Sequence, residues 1–341
     1  MKIFSDFHHE GLYHSLHLLF EKRLGWELYR PIGLEWFKEG YWAINNQEDT
    51  ARQFLEIGNE PKDGTIPLND GHEKGDVYYI QDHHNHSWQK AITLETFKNT
   101  KFDVLLASIP QHIKPFQELI DKYQPQAKLI FQMGNHFDIT GLPIKNLMAS
   151  TAPFSFEGNK VFYHQEFDLG TFKPSGNPPE KMITSFINVL DKNGGMVNYY
   201  TLENIMPDYQ FFSYGGQCRD GSVVGIENMA RIMQNSAFGF HVKSGGDGFG
   251  HVIHNFMACG RPVIVNYSEY KNQLAGKLLI PDETCIVAEI GDDMSKVAEK
   301  IRSLTPLQYE WMCQRALDKF LEEVDYDKEE RHIRKFLGDL T

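Results

Sequence analysis

A glycine-rich segment, His241–Asn266, places a carboxylate beside the predicted start of a helix. It reads HVKSGGDGFGHVIHNFMACGRPVIVN. Gly246, Gly248 and Gly250 allow sharp turns and the close approach of a ligand to the backbone, because they carry no Cβ. Asp247 lies inside this loop, so its carboxylate can reach a ligand that the backbone holds. The pattern predicts a strand, a loop, a helix, a tight turn and a second strand.

The predicted helix begins near His251 with unpaired backbone N–H groups and the positive end of its dipole, which together favour a phosphate group. Four residues on, Asn255 shares a face of this helix with His251. Lys243, beside the loop, and Arg219, in the segment GGQCRDG after a predicted strand, are candidate cations for that phosphate. A glycine loop used only for tight packing is the plainer alternative.

Two stretches of the chain resemble motifs of the GT-B glycosyltransferases, especially the retaining family 4 type. In that family the donor loop reads E-G-F-G, a second Glu follows in the helix, and A-C-G-x-P-V-I comes next. Here Asp247–Gly250 (DGFG) matches the loop and Ala258–Ile264 (ACGRPVI) matches the tail. Asp247 replaces the first Glu and Asn255 the second. Phe167–Pro174 (FDLGTFKP) is similar to the family segment that crosses between domains.

The resemblance implies an α/β protein with GT-B architecture, in which two Rossmann-like domains face each other across a cleft. It implies an acceptor domain over residues 1–171, a donor domain over 181–325, and a C-terminal helix over 326–341 that returns to the first domain. Residues 172–180 (FKPSGNPPE) hold three prolines, which suits a linker. Helical spacing predicts a helix over Lys181–Leu190.

The resemblance also implies an activity, the transfer of a hexose from a nucleoside diphosphate sugar to a hydroxyl acceptor with retention of configuration. A UDP-sugar is the favoured donor. Asp247 would lie near the sugar hydroxyls, Gly246 and the amides of the following glycines and Phe249 near the diphosphate or sugar, and Asn255 at the ribose. Lys243 and the strand-end arginine would neutralise the leaving group. The donor is a co-substrate, and neither a cofactor nor a metal is expected.

Histidines cluster after three predicted strands of the first domain. His9 follows the first strand together with Asp6, in SDFHHEG; His83 belongs to DHHNH; His112 follows a third strand. The carboxyl ends of strands form the edge at which an open α/β sheet binds its ligand. We therefore expect Asp6, His9, His83 and His112 around the acceptor, with His9 or His112 orienting or deprotonating it.

Three rival functions fit parts of the same pattern. The histidine clusters could serve a metal-dependent hydrolase, since imidazole and carboxylate bind zinc or iron, but no HExxH or similar spacing occurs. A nucleotide-sugar epimerase could use the same fold. Asn255, where the family has Glu, would also suit a non-catalytic protein that binds nucleotide sugars.

Composition limits the acceptor and the location. With 34 Lys and Arg against 46 Asp and Glu, the net charge is −12. Such an acidic chain binds nucleic acid poorly, so a modified DNA base is a disfavoured acceptor; a saccharide, metabolite, lipid-linked sugar or protein is open. Four dispersed cysteines without a CxxC pair indicate a reduced, cytoplasmic protein. No apolar stretch approaches the roughly 18 residues of a membrane span, and no secretion signal is evident at the N-terminus.

Overall fold

The computed structural model divides the chain into two compact units, and each is described by itself. The described residues are 1–6, 10–31, 71–135, 139–151 and 156–340. The N-terminal unit comprises Met1–Ser150, Phe154–Glu166 and Asp327–Thr341, and the C-terminal unit comprises Thr151–Pro153 and Phe167–Tyr326. None of the helices in the described part of the chain is both long and apolar enough to cross a lipid bilayer.

A mixed sheet organises the N-terminal unit. Its described strands are β1 (Lys2–Ser5), β2 (Glu27–Pro31), β3 (Gly71–Lys74), β4 (Val77–Asp82), β5 (Ser87–Ile92), β6 (Val104–Ala107), β7 (Lys128–Met133), β8 (Asn146–Ala149) and β9 (Asn159–Phe162). Its helices are α1 (Glu10–His17), which continues as a π-helix over Leu18–Arg23, α2 (Leu94–Asn99) and α3 (Pro110–Tyr123). The strand order is β3-β4-β5-β2-β1-β6-β7-β8-β9. All neighbours from β5 to β9 are parallel, and β3, β4 and β5 pair antiparallel.

A fully parallel sheet organises the C-terminal unit, in the order β11-β10-β12-β13-β14. Its strands are β10 (Glu180–Ser185), β11 (Gln210–Ser213), β12 (Ser236–His241), β13 (Val263–Val265) and β14 (Cys285–Val287). Its helices are α4 (Met196–Ile205), α5 (Ile226–Asn235), α6 (His251–Ala258), α7 (Tyr267–Tyr270), α8 (Leu274–Leu278), α9 (Met294–Ser303) and α10 (Pro306–Glu323), and the chain ends with α11 (Tyr326–Leu340).

Both sheets bury side chains on both faces, which is typical of parallel sheets covered by helices. In β1, Ile3 and Phe4 belong to separate hydrophobic clusters on opposite faces. In β13, Val263 packs on one face and Ile264 on the other. Ile333 and Leu337 of α11 belong to the same cluster as Ile3, so most of this helix is part of the N-terminal unit.

The helix predicted over Lys181–Leu190 is wrong. The segment forms strand β10, which pairs with β11 and β12 on its two sides. Its residues from Met182 to Ser185 are all buried. The run Met-Ile-Thr-Ser suits a central strand because the β-branched Ile and Thr pack well on a pleated surface that is covered on both faces. Such a run does not alternate, so its pattern alone does not distinguish a buried strand from a helix.

Candidate functional site

The glycine loop follows the carboxyl end of β12 and leads directly into α6, as the sequence predicts. Gly246 and Gly250 have φ values of 64° and 81°, in a region where other residues are strained. The preceding backbone is fixed by the side chain of Asn266, which accepts from the Lys243 amide at 3.0 Å and donates to the Lys243 carbonyl at 2.8 Å. The loop therefore starts from a rigid strand end.

Two basic side chains contact Asp247, the one acidic residue of this loop. His241 Nε2 lies 2.8 Å from Asp247 Oδ2, and Lys243 Nζ forms an ion pair with Oδ1. Burial by itself would raise the pKa of Asp247, but the hydrogen bond and charge of His241 and the charge of Lys243 outweigh it, so the pKa lies well below its ordinary value. The group is a carboxylate throughout the neutral pH range.

The far wall of the loop comes from α7 and the turn after it. The Tyr270 ring lies 5.7 Å from the His241 ring, measured between centroids. A Cβ at Gly246 would lie 3.4 Å from Gln273 Nε2 and 3.5 Å from the Tyr270 ring. Burial, and next the nearby Asp247 carboxylate, raise the pKa of Tyr270 far above its ordinary value, so this phenol is neutral. The loop backbone thus lies against the neutral phenol of Tyr270, the Gln273 amide and the Cβ of the exposed Glu269, which would lie 3.4 Å from the same Cβ.

The start of α6 offers backbone N–H groups. Gly250 stands at the N-cap position and has no side chain to cap them. Phe249 is buried; its ring stacks on His254 at 4.0 Å and meets the His251 ring edge-on at 4.8 Å. The side chain of Phe249 is therefore part of the core, and only its backbone can contact a ligand. Gly248 is buried as well.

Asn255 lies one turn further along α6 and is 7% exposed. Its Oδ1 has no hydrogen-bond partner among the described residues. A buried amide oxygen without a donor costs about 1–3 kcal/mol, so a hydroxyl that donates to it would bind favourably. The family resemblance implies a contact of this kind between Asn255 and a ribose hydroxyl.

Arg219, unlike Lys243, forms its contacts away from Asp247. Its Nη1 donates to both carboxylate oxygens of Glu203, at 2.9 and 3.0 Å, its Nε to Asp220 at 3.2 Å, and its Nη2 to the Phe211 carbonyl at 2.5 Å. Glu203 belongs to α4, so these contacts draw the guanidinium back along β11. The structure does not bring Arg219 to Asp247, and its role at a diphosphate stays a prediction.

On the N-terminal unit, Asp6 and His112 come together. Asp6, directly after β1, accepts hydrogen bonds from the Ser108 amide at 2.8 Å, from the Ser108 hydroxyl and from His112 Nδ1. All three side chains are buried, and the His112 ring stacks on Phe116. β1 and β6 are adjacent and parallel, which is why groups that follow them meet at one edge. His9 lies outside the described residues.

The expectation that His83 shares this edge is wrong. His83 lies in the turn between β4 and β5, which pair antiparallel. Because β5 runs parallel to β2 and β2 to β1, the turn lies at the amino edge of these strands, opposite Asp6. A carboxyl strand end marks the binding edge only for strands that run parallel to the rest. Within the described residues, no group of three or more His, Cys, Asp or Glu could hold a metal ion.

His241 is the main contact that sequence reasoning missed, since a histidine inside a strand is usually structural. Its position offers a signal: His241 is the last residue of β12, so it lies next to the loop that follows. Asn266 directly follows the neighbouring strand β13 and is likewise close to the loop. Tyr270 and Gln273 gave no signal, because only the tertiary fold brings α7 to the loop.

Comparisons with known proteins agree with this architecture. No family model matches the chain, and neither does any curated protein. Among solved structures, sucrose-phosphate synthase from Thermosynechococcus elongatus aligns with a TM-score of 0.64 at 12% identity, over 100% of this chain and 99% of that one. Anabaena HepE in complex with UDP and glucose aligns with a TM-score of 0.66 at 13% identity, over 99% and 100%. TarM of S. aureus gives a TM-score of 0.60 at 11% identity, over 98% of both chains.

These solved structures are GT-B glycosyltransferases, and the chain shares their fold over its whole length. The α/β class and the two Rossmann-like domains that the sequence predicts are thereby confirmed.

Proposed function

We propose that this protein is a glycosyltransferase that moves a hexose from a nucleoside diphosphate sugar, with UDP-glucose the first candidate, to a hydroxyl acceptor. The observation that carries the proposal is the Asp247 carboxylate, held by His241 and Lys243 beside the open start of α6. The shared fold supports it, since HepE is solved with UDP-glucose bound.

The donor diphosphate would lie at the start of α6, where the backbone N–H groups and the helix dipole stabilise the negative charge that develops on the leaving group. Lys243 adds a cation whose three N–H donors can serve Asp247 and a phosphate oxygen together. Asn255 Oδ1 would accept from a ribose hydroxyl. Asp247, which is ionised at neutral pH, would accept hydrogen bonds from the sugar hydroxyls and fix the sugar for attack.

The acceptor would bind at the edge where β1 and β6 end. There Asp6 would orient the His112 ring through Nδ1, and His112 or His9 would orient or deprotonate the acceptor hydroxyl. Retention of the anomeric configuration and a cytoplasmic location complete the proposal; the acceptor class is open among saccharides, metabolites, lipids and proteins.

Calorimetric titration with UDP, UDP-glucose and UDP-N-acetylglucosamine, followed by an assay of UDP release, tests the proposal. We expect one UDP-sugar to bind and to be turned over slowly by water and faster by an acceptor. Asp247→Asn should lower turnover by about 10²–10³-fold, as losses of preorganised electrostatic groups do. Asp121→Asn, at an exposed site on α3, is the matched control and should leave turnover unchanged.

Each alternative outcome has a definite meaning. Binding without release of UDP, with any acceptor, would identify a non-catalytic binding protein. A change of the sugar without an acceptor would identify an epimerase. The absence of binding to every nucleotide sugar would refute the donor site. For an active enzyme, the anomeric proton coupling of the product decides between retention and inversion.

A further inference from the structure

A cavity lies in the C-terminal unit, at the edge of the sheet where its parallel strands begin. Its volume is about 740 Å³, within the size range of small-molecule sites. The lining includes the first residues of β10 and β12, the residues just before β13, a proline-rich stretch over 174–179, and one face of α10. Because every strand of this sheet is parallel, the cavity lies at the opposite edge from Asp247. It is not part of the donor site.

Arg261 is the charged group in the buried part of this lining, since it is only 7% exposed. Its Nε donates to the Gln234 carbonyl at 2.9 Å, and its Nη2 donates to the same carbonyl at 2.7 Å and to the Asn177 carbonyl at 3.2 Å. Gln234 belongs to the last turn of α5, where the negative end of the helix dipole favours a cation. These contacts give Arg261 a structural role, but they use only Nε and Nη2.

The remaining nitrogen of Arg261, Nη1, contacts only a weak hydrogen-bond acceptor among the described residues. Its contact among the described residues is the Cys313 sulfur at 4.0 Å, and Arg261 takes part in none of the ion pairs recorded for those residues. Burial raises the pKa of the Cys313 thiol, so this sulfur brings no negative charge. Tyr309, beside it, donates its hydroxyl to the Ala237 carbonyl at 2.6 Å. Nη1 carries two N–H groups and only one of them contacts the sulfur, so a buried guanidinium with one N–H donor left over lines the cavity.

Such a group favours an anion, because a buried cation is costly until a charged partner satisfies its remaining donors. Phosphate and carboxylate match the planar donor geometry of a guanidinium. The rest of the buried lining is apolar, from Phe238 and Cys259, and the half-buried ring of Tyr309 adds an aromatic surface. The carboxylates of Glu180 and Glu310 lie at the exposed rim, where solvent screens them. The lining thus suits a molecule with one anionic end and an apolar or aromatic body.

We propose that this cavity is a binding site for a small molecule that carries a phosphate or carboxylate group, which Arg261 Nη1 recognises. The site is independent of the donor loop and of the proposed transfer reaction. β12 joins the two edges, since its first residues line the cavity and its last residue, His241, holds Asp247.

Calorimetric titration of the full chain with phenyl phosphate at pH 7.5 tests the site, with phenol as the uncharged control. We expect phenyl phosphate to bind at least about tenfold more tightly than phenol, which corresponds to 1.4 kcal/mol. A benzoate titration then separates recognition of phosphate from recognition of carboxylate; binding of either anion supports the site.

Variants of Cys313 keep the test independent of folding, because they leave the structural contacts of Arg261 intact. Cys313→Asp places a carboxylate beside Nη1 and should weaken phenyl phosphate at least tenfold, whereas Cys313→Ser, which is neutral, should bind like the wild type. Lys243→Ala should also bind like the wild type, since Lys243 belongs to the other edge. Three results would overturn the proposal: equal binding of phenyl phosphate and phenol, full binding by Cys313→Asp, or loss of binding in Lys243→Ala.

Discussion

The hydrogen bond from His241 to Asp247 offers the sharpest test of the donor loop. The two side chains meet at 2.8 Å, His241 is 1% exposed, and the Asp247 side chain is 27% exposed. A hydrogen bond to a charged group contributes about 1.5–3 kcal/mol. Replacing His241 by Phe fills the same space without a donor, so it should cost about this much in the free energy of unfolding.

The same bond fixes the direction of the carboxylate, so its loss should also reach the proposed transition state. At 1.36 kcal/mol for each factor of ten, kcat for hydrolysis or transfer from UDP-glucose should fall about ten- to a hundredfold in His241→Phe. His241→Gln is the matched control, because its amide nitrogen occupies nearly the position of Nε2 and can still donate. We expect His241→Gln to keep most of the activity.

Urea unfolding measures the change in the free energy of unfolding, and the release of UDP at saturating donor concentration measures kcat. Nδ1 of His241 has no partner among the described residues, so neither variant removes a second hydrogen bond there. Equal stability and equal kcat in the Phe and Gln variants would show that the Nε2 donor does not hold Asp247, and the reasoning about this loop would fail.

Three further predictions concern groups outside the donor loop. Burial opposes the charge of Glu21, yet the hydrogen bonds from His17 and Lys90 hold its pKa below the ordinary value. Its contribution to folding stability is therefore present above the ordinary pKa of about 4.3 and is lost as the pH falls through the lowered value. The cost of Lys90→Met in urea unfolding, roughly 1–2 kcal/mol at pH 7, should thus shrink toward pH 3. Burial raises the pKa of Cys259 and Cys285 to about 12, so iodoacetamide at pH 8 should label them only after unfolding, as mass spectrometry of the peptides would show. A Cβ at Gly195 would lie 1.8 Å from the backbone carbonyl oxygen of Val242, directly after β12. Gly195→Ala should therefore lower the free energy of unfolding by at least about 2 kcal/mol, and an unchanged thermal midpoint would contradict this close approach.

The sequence predicts the local backbone structure around the proposed donor loop. The glycine loop and the start of α6 depend on neighbouring residues, and the structure has them where the pattern indicates. The pattern predicts a helix where β10 forms, because a central strand buried on both faces lacks the alternation that marks a half-buried strand. His83 was assigned to the wrong edge because the direction of β4 depends on its pairing with β5, which no local pattern reveals.

The contacts of Asp247 resolve a conflict within the proposed donor site. A free carboxylate beside a diphosphate would repel it, and the helix start would then hold an anion less tightly. His241 and Lys243 each contact one oxygen of Asp247, so the carboxylate reaches the loop already compensated. The dipole of α6 would then remain available to the phosphates of the proposed donor, while Asp247 would keep lone pairs for its sugar hydroxyls. Asp, one methylene shorter than the Glu of the family motif, suits this arrangement because its two partners lie within the same strand end and loop.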